Sequence, residues 1–160
     1  MMRWAWTVSA ATLGMAGALT AAAPDPVVDP LKGVDVVGKL HWLGRSAGCR
    51  GTALVFLHPE CPISNQYVAE LNRIAKDRPA SIEFFGVISD ARTTRKQAAE
   101  FLESFQVQFP VLFDASSELA LRLQPRRVPE AFVLDREGAV LYRGRIDDQW
   151  ASIGKRRSVV

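Results

Sequence analysis

ALVFLHPECPISNQYVAELNRI, residues 53–74, contains the change of pattern that decides the fold. The apolar run over residues 52–58 is short and continuous, which predicts a strand buried on both faces. After Pro62 the apolar residues recur at helical spacing, and a proline suits the first helical turn because its missing N–H costs nothing there. Cys61 is therefore predicted at the corner between the strand and the N-terminus of the helix.

The rest of the chain continues this alternation of strand and helix patterns. Residues 34–43 predict one extended segment before the corner. After the helix, the patterns predict a buried strand at 81–89, a helix at 93–105, a short extended piece at 109–114, a short helix at 116–123 with Ser116 or Ser117 as N-cap, and a hairpin at 130–146. Alternating strands and helices indicate parallel pairing, and the hairpin adds antiparallel strands. We therefore expect a single α/β domain with a mixed central sheet and helices on both faces.

The N-terminal residues predict export. Residues 1–23 have one basic side chain, then an apolar stretch, then alanines before a Pro/Asp segment, which is the layout of a secretory signal peptide. The stretch is also long enough to anchor the chain in a bilayer if it is not cleaved. We expect a signal peptide or anchor at 1–23, a linker at 24–32, the folded domain at 33–146 and a basic tail at 147–160. The domain is expected in the periplasm or outside the cell, with membrane contact only through an uncleaved N-terminus.

Charge argues against a nucleic-acid partner. The 160-residue chain has a formal charge of +3, and its basic residues are scattered apart from small clusters at 126–127 and 155–157. A nucleic-acid interface would gather basic residues on one face, with aromatic residues among them. Most of these charges are therefore expected to be solvated at the surface.

The two cysteines would by default form a disulfide in an exported chain. Cys49 precedes the buried strand and Cys61 follows it, which separates them by about 20 Å at the rise of an extended strand. A disulfide needs Cα atoms within about 7 Å, so we expect free thiols, with Cys49 in a turn or available to another chain. At Cys61, the unpaired N–H groups and positive end of the helix favour the thiolate.

His58 and Cys61 also form an H-x-x-C pair. Two ligands are too few for a closed zinc site, so we expect neither a metal nor a cofactor. A protonated His58 would favour the thiolate, whereas Glu60 would oppose it. His58 is therefore interpreted as a residue of the thiol site.

FLHPECPIS followed by a helix, with VPEAFVLDREGAVLYRG further along the chain, resembles the thioredoxin-like superfamily. The similarity is to exported redoxin-domain proteins of the alkyl hydroperoxide reductase/thiol-specific antioxidant and bacterial thiol–disulfide oxidoreductase types, and it includes the tail YRGRIDDQW. The resemblance, over residues 33–157, implies a thioredoxin-like fold with Cys61 as the redox thiol and Pro129 as a cis-proline packed opposite it. We also expect a substrate-binding rim beside the thiol, formed by Val128, Arg127 and Pro62.

Two departures from the family pattern affect the expected chemistry. The usual C-x-x-C is Cys61-Pro62-Ile63-Ser64 here, so Ser64 can donate a hydrogen bond to the thiolate but cannot close a disulfide. Peroxiredoxins orient the peroxide with a P-x-x-x-T-x-x-C loop. In this chain Leu54 stands at the position of the proline and His58 at that of the threonine.

Few residues follow the last strand, so the closing helix of the fold is expected to be reduced or missing.

We therefore predict an exported thiol–disulfide oxidoreductase with one active-site cysteine. In this hypothesis Cys61 is the nucleophile, Ser64 solvates its thiolate, His58 tunes its proton affinity and Pro129 shapes the wall beside it. The partners would be a protein or small-molecule disulfide, or a peroxide, and an external thiol reductant. Two alternatives stay open: a peroxiredoxin-like peroxidase that uses the same thiol, and a non-catalytic thioredoxin-like interaction module.

Overall fold

The computed structural model of the protein describes residues 31–147, 150–152 and 155–156. The expected signal peptide or anchor and nearly all of the expected linker lie outside the described residues. So do parts of the expected basic tail, at residues 148–149, 153–154 and 157–160. No helix in the described ranges is both long and apolar enough to cross a membrane.

The strands within these ranges are, in chain order, β1 (Lys32–Val34), β2 (Leu40–Trp42), β3 (Gly51–Leu57), β4 (Ile82–Ile88), β5 (Val111–Phe113), β6 (Glu130–Asp135), β7 (Val140–Gly144), β8 (Trp150–Ser152) and β9 (Lys155–Arg156). The helices are α1 (Pro62–Asp77), α2 (Arg95–Ser104) and α3 (Glu118–Leu123). From β3 to β7 the bounds agree with the predicted elements to within a few residues.

Within the described residues, the central sheet has the strand order β5-β4-β3-β6-β7. β3 pairs in parallel with β4 and β4 with β5, whereas β6 runs antiparallel to both β3 and β7. The predicted mixed sheet is confirmed. Leu57 at the end of β3 lies opposite Ile88 at the end of β4, so the segments that follow these two strands share one edge of the sheet.

β3 is the centre of the core because its side chains are buried on both faces of the sheet. Val55 and Leu57 belong to the cluster that includes α1 and α2, and Leu54 and Phe56 belong to the cluster that includes α3 and β6. Five residues of α1 recur at helical spacing: Tyr67, Val68, Leu71 and Ala75 are buried in the first cluster, and Ile74 is partly buried against it. The predicted helices on both faces of the sheet are confirmed.

The single extended segment predicted over residues 34–43 is wrong. The chain forms a hairpin there, with β1 antiparallel to β2. It reverses because the Asp35 carboxylate accepts a hydrogen bond from the N–H of Lys39 at 2.8 Å and bonds to His41 Nε2 at 2.8 Å, and Gly38 has a φ of 95°. Burial alone would raise the pKa of Asp35, but these hydrogen bonds outweigh burial and lower it.

The start of α3 also differs from the prediction. Ser117 is at the N-cap position, but its backbone is left-handed, with a φ of 59°, and its side chain makes no capping hydrogen bond. Asp114 supplies the cap, because its carboxylate accepts hydrogen bonds from the N–H of Leu119 at 3.2 Å and of Ala120 at 3.0 Å. Side-chain capping needs an extended backbone at the N-cap residue, and Ser117 lacks it.

The two ends of the domain add detail that the sequence did not provide. Leu31 is buried and β1 begins at Lys32, so these residues belong to the domain rather than to the linker. After β7, Asp147 accepts a hydrogen bond from the phenol of Tyr67, which docks the start of the tail on α1. The described part of the tail forms the antiparallel pair β8–β9 and contains no helix.

Candidate active site

Cys61 is the N-cap residue of α1, directly after the turn that follows β3. Its backbone is extended, with φ −85° and ψ 112°, and no side chain caps this end of the helix. The N–H groups of Ile63 and Ser64 have no carbonyl acceptor within the helix, and the first turn contains no acidic side chain to compete for them. The predicted position at the helix N-terminus is confirmed, and the polarity there favours an anion.

The loop that precedes β6 lies against this thiol. Cys61 Sγ is 3.6 Å from the carbonyl oxygen of Val128, within hydrogen-bond reach for a sulfur donor. The Val128–Pro129 peptide bond is cis. Val128 is 40% exposed and Cys61 is partly exposed, so a molecule in solution can reach both.

His58 is the centre of hydrogen bonding in the turn that carries Cys61. Its carbonyl accepts a hydrogen bond from the N–H of Cys61 at 3.0 Å, and its ring Nδ1 accepts one from the N–H of Glu60 at 3.1 Å. Its Nε2 lies 2.9 Å from a carboxylate oxygen of Asp90. A neutral imidazole has one acceptor and one donor nitrogen, so these partners assign the proton to Nε2, which donates to Asp90.

Asp90 is a site residue that sequence reasoning missed. It follows β4, the parallel neighbour of β3, so the shared edge of the two strands could have placed it near His58. Its carboxylate also accepts hydrogen bonds from the N–H of Arg92 at 3.0 Å and the hydroxyl of Thr93 at 3.3 Å. The bond from Arg92, followed by that from His58, lowers the pKa of Asp90 to about 2. The partner of His58 is therefore an ionised carboxylate at neutral pH.

Asp90→Asn is expected to flatten the acid dependence of stability. The pKa of Asp90 is lowered from 3.8 to about 2, so its hydrogen bonds stabilise the fold above about pH 4 and are lost as the pH falls toward 2. The free energy of unfolding from urea titrations should therefore fall more in the wild type than in the variant over this range, by no more than about 2 kcal/mol. Equal slopes in the two proteins would contradict this role.

Ser64 has a different partner from the one predicted. Its side chain is fully buried, and its hydroxyl oxygen accepts a hydrogen bond from the N–H of His58 at 3.4 Å. The hydroxyl therefore ties the first turn of α1 to the end of β3, and its hydrogen bond to the Cys61 thiolate stays a prediction. Pro62 and Arg127 are exposed and adjoin, in sequence, the two residues of the thiol–carbonyl contact.

Both cysteines are free thiols. Cys49 is 3% exposed and its Sγ donates to the carbonyl oxygen of Gly51 at 3.3 Å, at the start of β3. Cys61 follows the other end of that strand, so the length of β3 separates the two sulfurs.

Among the residues that the structure describes, no group of three or more His, Cys, Asp or Glu side chains is arranged to hold a metal ion.

The mixed sheet, the cysteine at the start of α1 and the proline loop against it define a thioredoxin-like α/β domain. The family model described as Redoxin matches residues 31–156. The chain therefore belongs to the Redoxin family. No curated protein matches it at a significant level.

Solved structures with the same fold include both uncharacterised and named proteins. An uncharacterised conserved protein from Geobacillus kaustophilus is 24% identical with a TM-score of 0.68, over 81% of this chain and 72% of that one. The exposed lipoprotein thioredoxin Etrx1 of Streptococcus pneumoniae is 21% identical with a TM-score of 0.65, over 74% and 91%. A secreted Mycobacterium tuberculosis disulfide oxidoreductase homologous to E. coli DsbE is 19% identical with a TM-score of 0.57, over 69% and 80%. At these identities the similarity establishes the fold.

Proposed function

We propose that the protein is an extracytoplasmic thiol–disulfide oxidoreductase that acts through the single thiol of Cys61. The observation that carries the proposal is the position of Cys61 Sγ, partly exposed at the uncapped N-terminus of α1 and 3.6 Å from the carbonyl oxygen of Val128. The uncapped helix end leaves backbone N–H groups free to donate beside the sulfur, and exposure lets a substrate sulfur reach it. A disulfide oxidoreductase and a thioredoxin among the proteins with this fold support the same reading.

In the proposed reaction the Cys61 thiolate attacks one sulfur of a substrate disulfide. A bond forms between Sγ and that sulfur, the substrate S–S bond breaks, and the other substrate sulfur leaves as a thiolate. Ser64 stands where the second cysteine of C-x-x-C would be, so the helix supplies no thiol to complete the exchange. An external thiolate then attacks the mixed disulfide and releases Cys61, so that one disulfide is formed for the one that was reduced.

The surrounding residues have supporting roles in this proposal. His58 holds the turn that carries the thiol, and Pro129 shapes the wall opposite it. The rim that receives the substrate consists of Val128, Arg127 and Pro62. The pattern of residues 1–23 supports a location outside the cytoplasm, and so do the secreted and surface-exposed proteins among those that share the fold.

Thiol peroxidase activity is the weaker candidate. Both ring nitrogens of His58 are engaged, Nδ1 with the N–H of Glu60 and Nε2 with Asp90. The neutral ring therefore has no N–H left to orient a peroxide, and Leu54 occupies the position of a peroxiredoxin loop proline. A peroxide could still oxidise the thiolate directly, so the test below includes one.

The deciding experiment uses the Cys49→Ser variant, in which Cys61 is the only cysteine and therefore the only thiol that reacts. The rate of alkylation by iodoacetamide at neutral pH is measured in the folded and in the urea-unfolded protein. Mass spectrometry then follows the mixed disulfide formed with a disulfide-linked peptide and, separately, the oxidation of Cys61 by hydrogen peroxide. We expect faster alkylation in the folded state and a mixed disulfide with the peptide. Alkylation that is no faster in the folded state would favour the interaction module. Oxidation by peroxide that outpaces the peptide reaction would favour the peroxidase.

A further inference from the structure

The loop between α3 and β6, residues 124–129, carries the carbonyl that faces the thiol. It has no regular secondary structure, and Gln124 at its start has a left-handed backbone with a φ of 51°. The contact between Val128 and Cys61 joins residues 67 positions apart, so it depends on how this loop is held. An unanchored loop would place the carbonyl in many positions.

Glu130, the first residue of β6, is an unusual residue at its position. It is 2% exposed and alternates along the strand with Phe132 and Leu134, which are buried in the core. An apolar side chain would suit that face, because burying a carboxylate is costly unless it is paired and hydrogen-bonded. A buried acid beside a candidate active site therefore calls for a functional explanation.

Glu130 is linked to the loop in two ways, directly through one hydrogen bond and indirectly through Arg143. One carboxylate oxygen accepts the N–H of Arg126 at 2.6 Å, and the other lies 3.4 Å from Nε of Arg143 on β7. Arg143 in turn donates from Nη2 to the carbonyl of Gln124, and its guanidinium lies 5.3 Å from the centre of the Phe132 ring. Glu130 and Arg143 therefore hold the start and the middle of the loop against the sheet.

We propose that Glu130 and Arg143 are positioning residues for disulfide exchange at Cys61. Together they fix the loop so that the Val128 carbonyl and the thiol form one wall on which a peptide disulfide docks. This inference rests on the proposed function, and it assigns the two residues to substrate placement rather than to activation of the sulfur. Neither residue touches the reacting atoms.

Disulfide exchange and alkylation by iodoacetamide differ in how much they depend on the position of the loop. Attack on a disulfide needs the incoming sulfur to be aligned with the S–S bond, and a rigid wall supplies this alignment in advance. Iodoacetamide is small and reacts with any accessible thiolate, so it needs no wall. Loss of the hydrogen bonds that Glu130 and Arg143 make to the loop should therefore slow the peptide reaction much more than the alkylation.

The test compares Glu130→Gln and Arg143→Gln with the wild type. The peptide probe is a disulfide-linked pair of short peptides with blocked ends and no charged side chains, so that changes of protein charge do not alter the encounter. We expect the rate with this probe to fall about tenfold in both variants, the effect of losing one charge-assisted hydrogen bond, while the iodoacetamide rate changes by less than about twofold. Arg143→Lys keeps the charge beside Glu130 but cannot also reach Gln124, and should give an intermediate rate.

The control is Arg73→Gln, which removes exposed ion pairs with Glu70 and Asp77 within α1 and should leave both rates unchanged. Equal falls in the peptide and iodoacetamide rates, or no fall in either, would overturn the inference. If Glu130→Gln does not fold, Arg143→Gln decides, because its side chain is about a quarter exposed, at 26%. Failure of the proposed function itself would appear separately, as a wild-type protein that does not react with the peptide probe.

Discussion

Cys61→Ser is expected to abolish disulfide exchange without weakening the fold. A serine hydroxyl is not ionised at neutral pH and cannot form an S–S bond. The rate of disulfide exchange should therefore fall by several orders of magnitude, to the rate measured in buffer without the protein. Because Cys61 is the N-cap residue of α1 and makes no capping bond, serine should keep or raise stability, by up to about 1 kcal/mol. Mass spectrometry of the peptide reaction and urea unfolding measure the two effects.

Cys49→Ser is the matched control for that result. Cys49 is buried at the start of β3 and takes no part in the candidate site, so this variant should react with the peptide disulfide at the wild-type rate. Exchange that persists in Cys61→Ser and disappears in Cys49→Ser would transfer the chemistry to the buried thiol. Such a result would require the strand to open before reaction, which contradicts the site described above.

The corner at Cys61 could be predicted because every signal for it is local. The apolar run of β3, the proline at position 62 and the helical spacing of α1 lie within one short stretch, and the structure agrees with them. The prediction for residues 34–43 failed because the local features that decide the structure there are not apolar patterns. The apolar residues of this segment predicted a strand, but hydrogen bonds to Asp35 and the positive φ of Gly38 turn the chain back, and such side-chain bonds do not appear in a hydropathy pattern.

Contacts between distant segments were harder to predict. No spacing rule places Val128 on Cys61, and only the resemblance to thioredoxin-like proteins implied that the two segments meet. Asp90 was within reach of sequence reasoning, because two parallel strands end at one edge. The pairing of Glu130 with Arg143 was not, because it depends on the register of β6 and β7, which is irregular between Val133 and Leu134.

Ser64→Cys is expected to change how the reaction ends. Positions 61 and 64 are three apart at the start of α1, and helix geometry places the Cα atoms of such positions about 5 Å from each other, within the Cα range for a disulfide. The new thiolate can attack the mixed disulfide at Cys61 Sγ, release the bound peptide as a thiol and leave an internal disulfide, so that two protein thiols are oxidised and one substrate disulfide is reduced. The variant also loses the acceptor for the N–H of His58, at a cost of roughly 1 kcal/mol.

The lifetime of the mixed disulfide measures this change directly. In the wild type the adduct should persist until an external thiol is added, because the helix offers no second sulfur. In Ser64→Cys it should disappear at least about a hundredfold faster than the wild-type adduct does in millimolar external thiol, since a neighbouring group acts at high effective concentration. Ser64→Ala separates loss of the hydroxyl from gain of the thiol and should keep a persistent adduct. If the adduct of Ser64→Cys also persists, the side chain at position 64 does not face Cys61. The predicted hydrogen bond from Ser64 to the Cys61 thiolate would then be wrong as well.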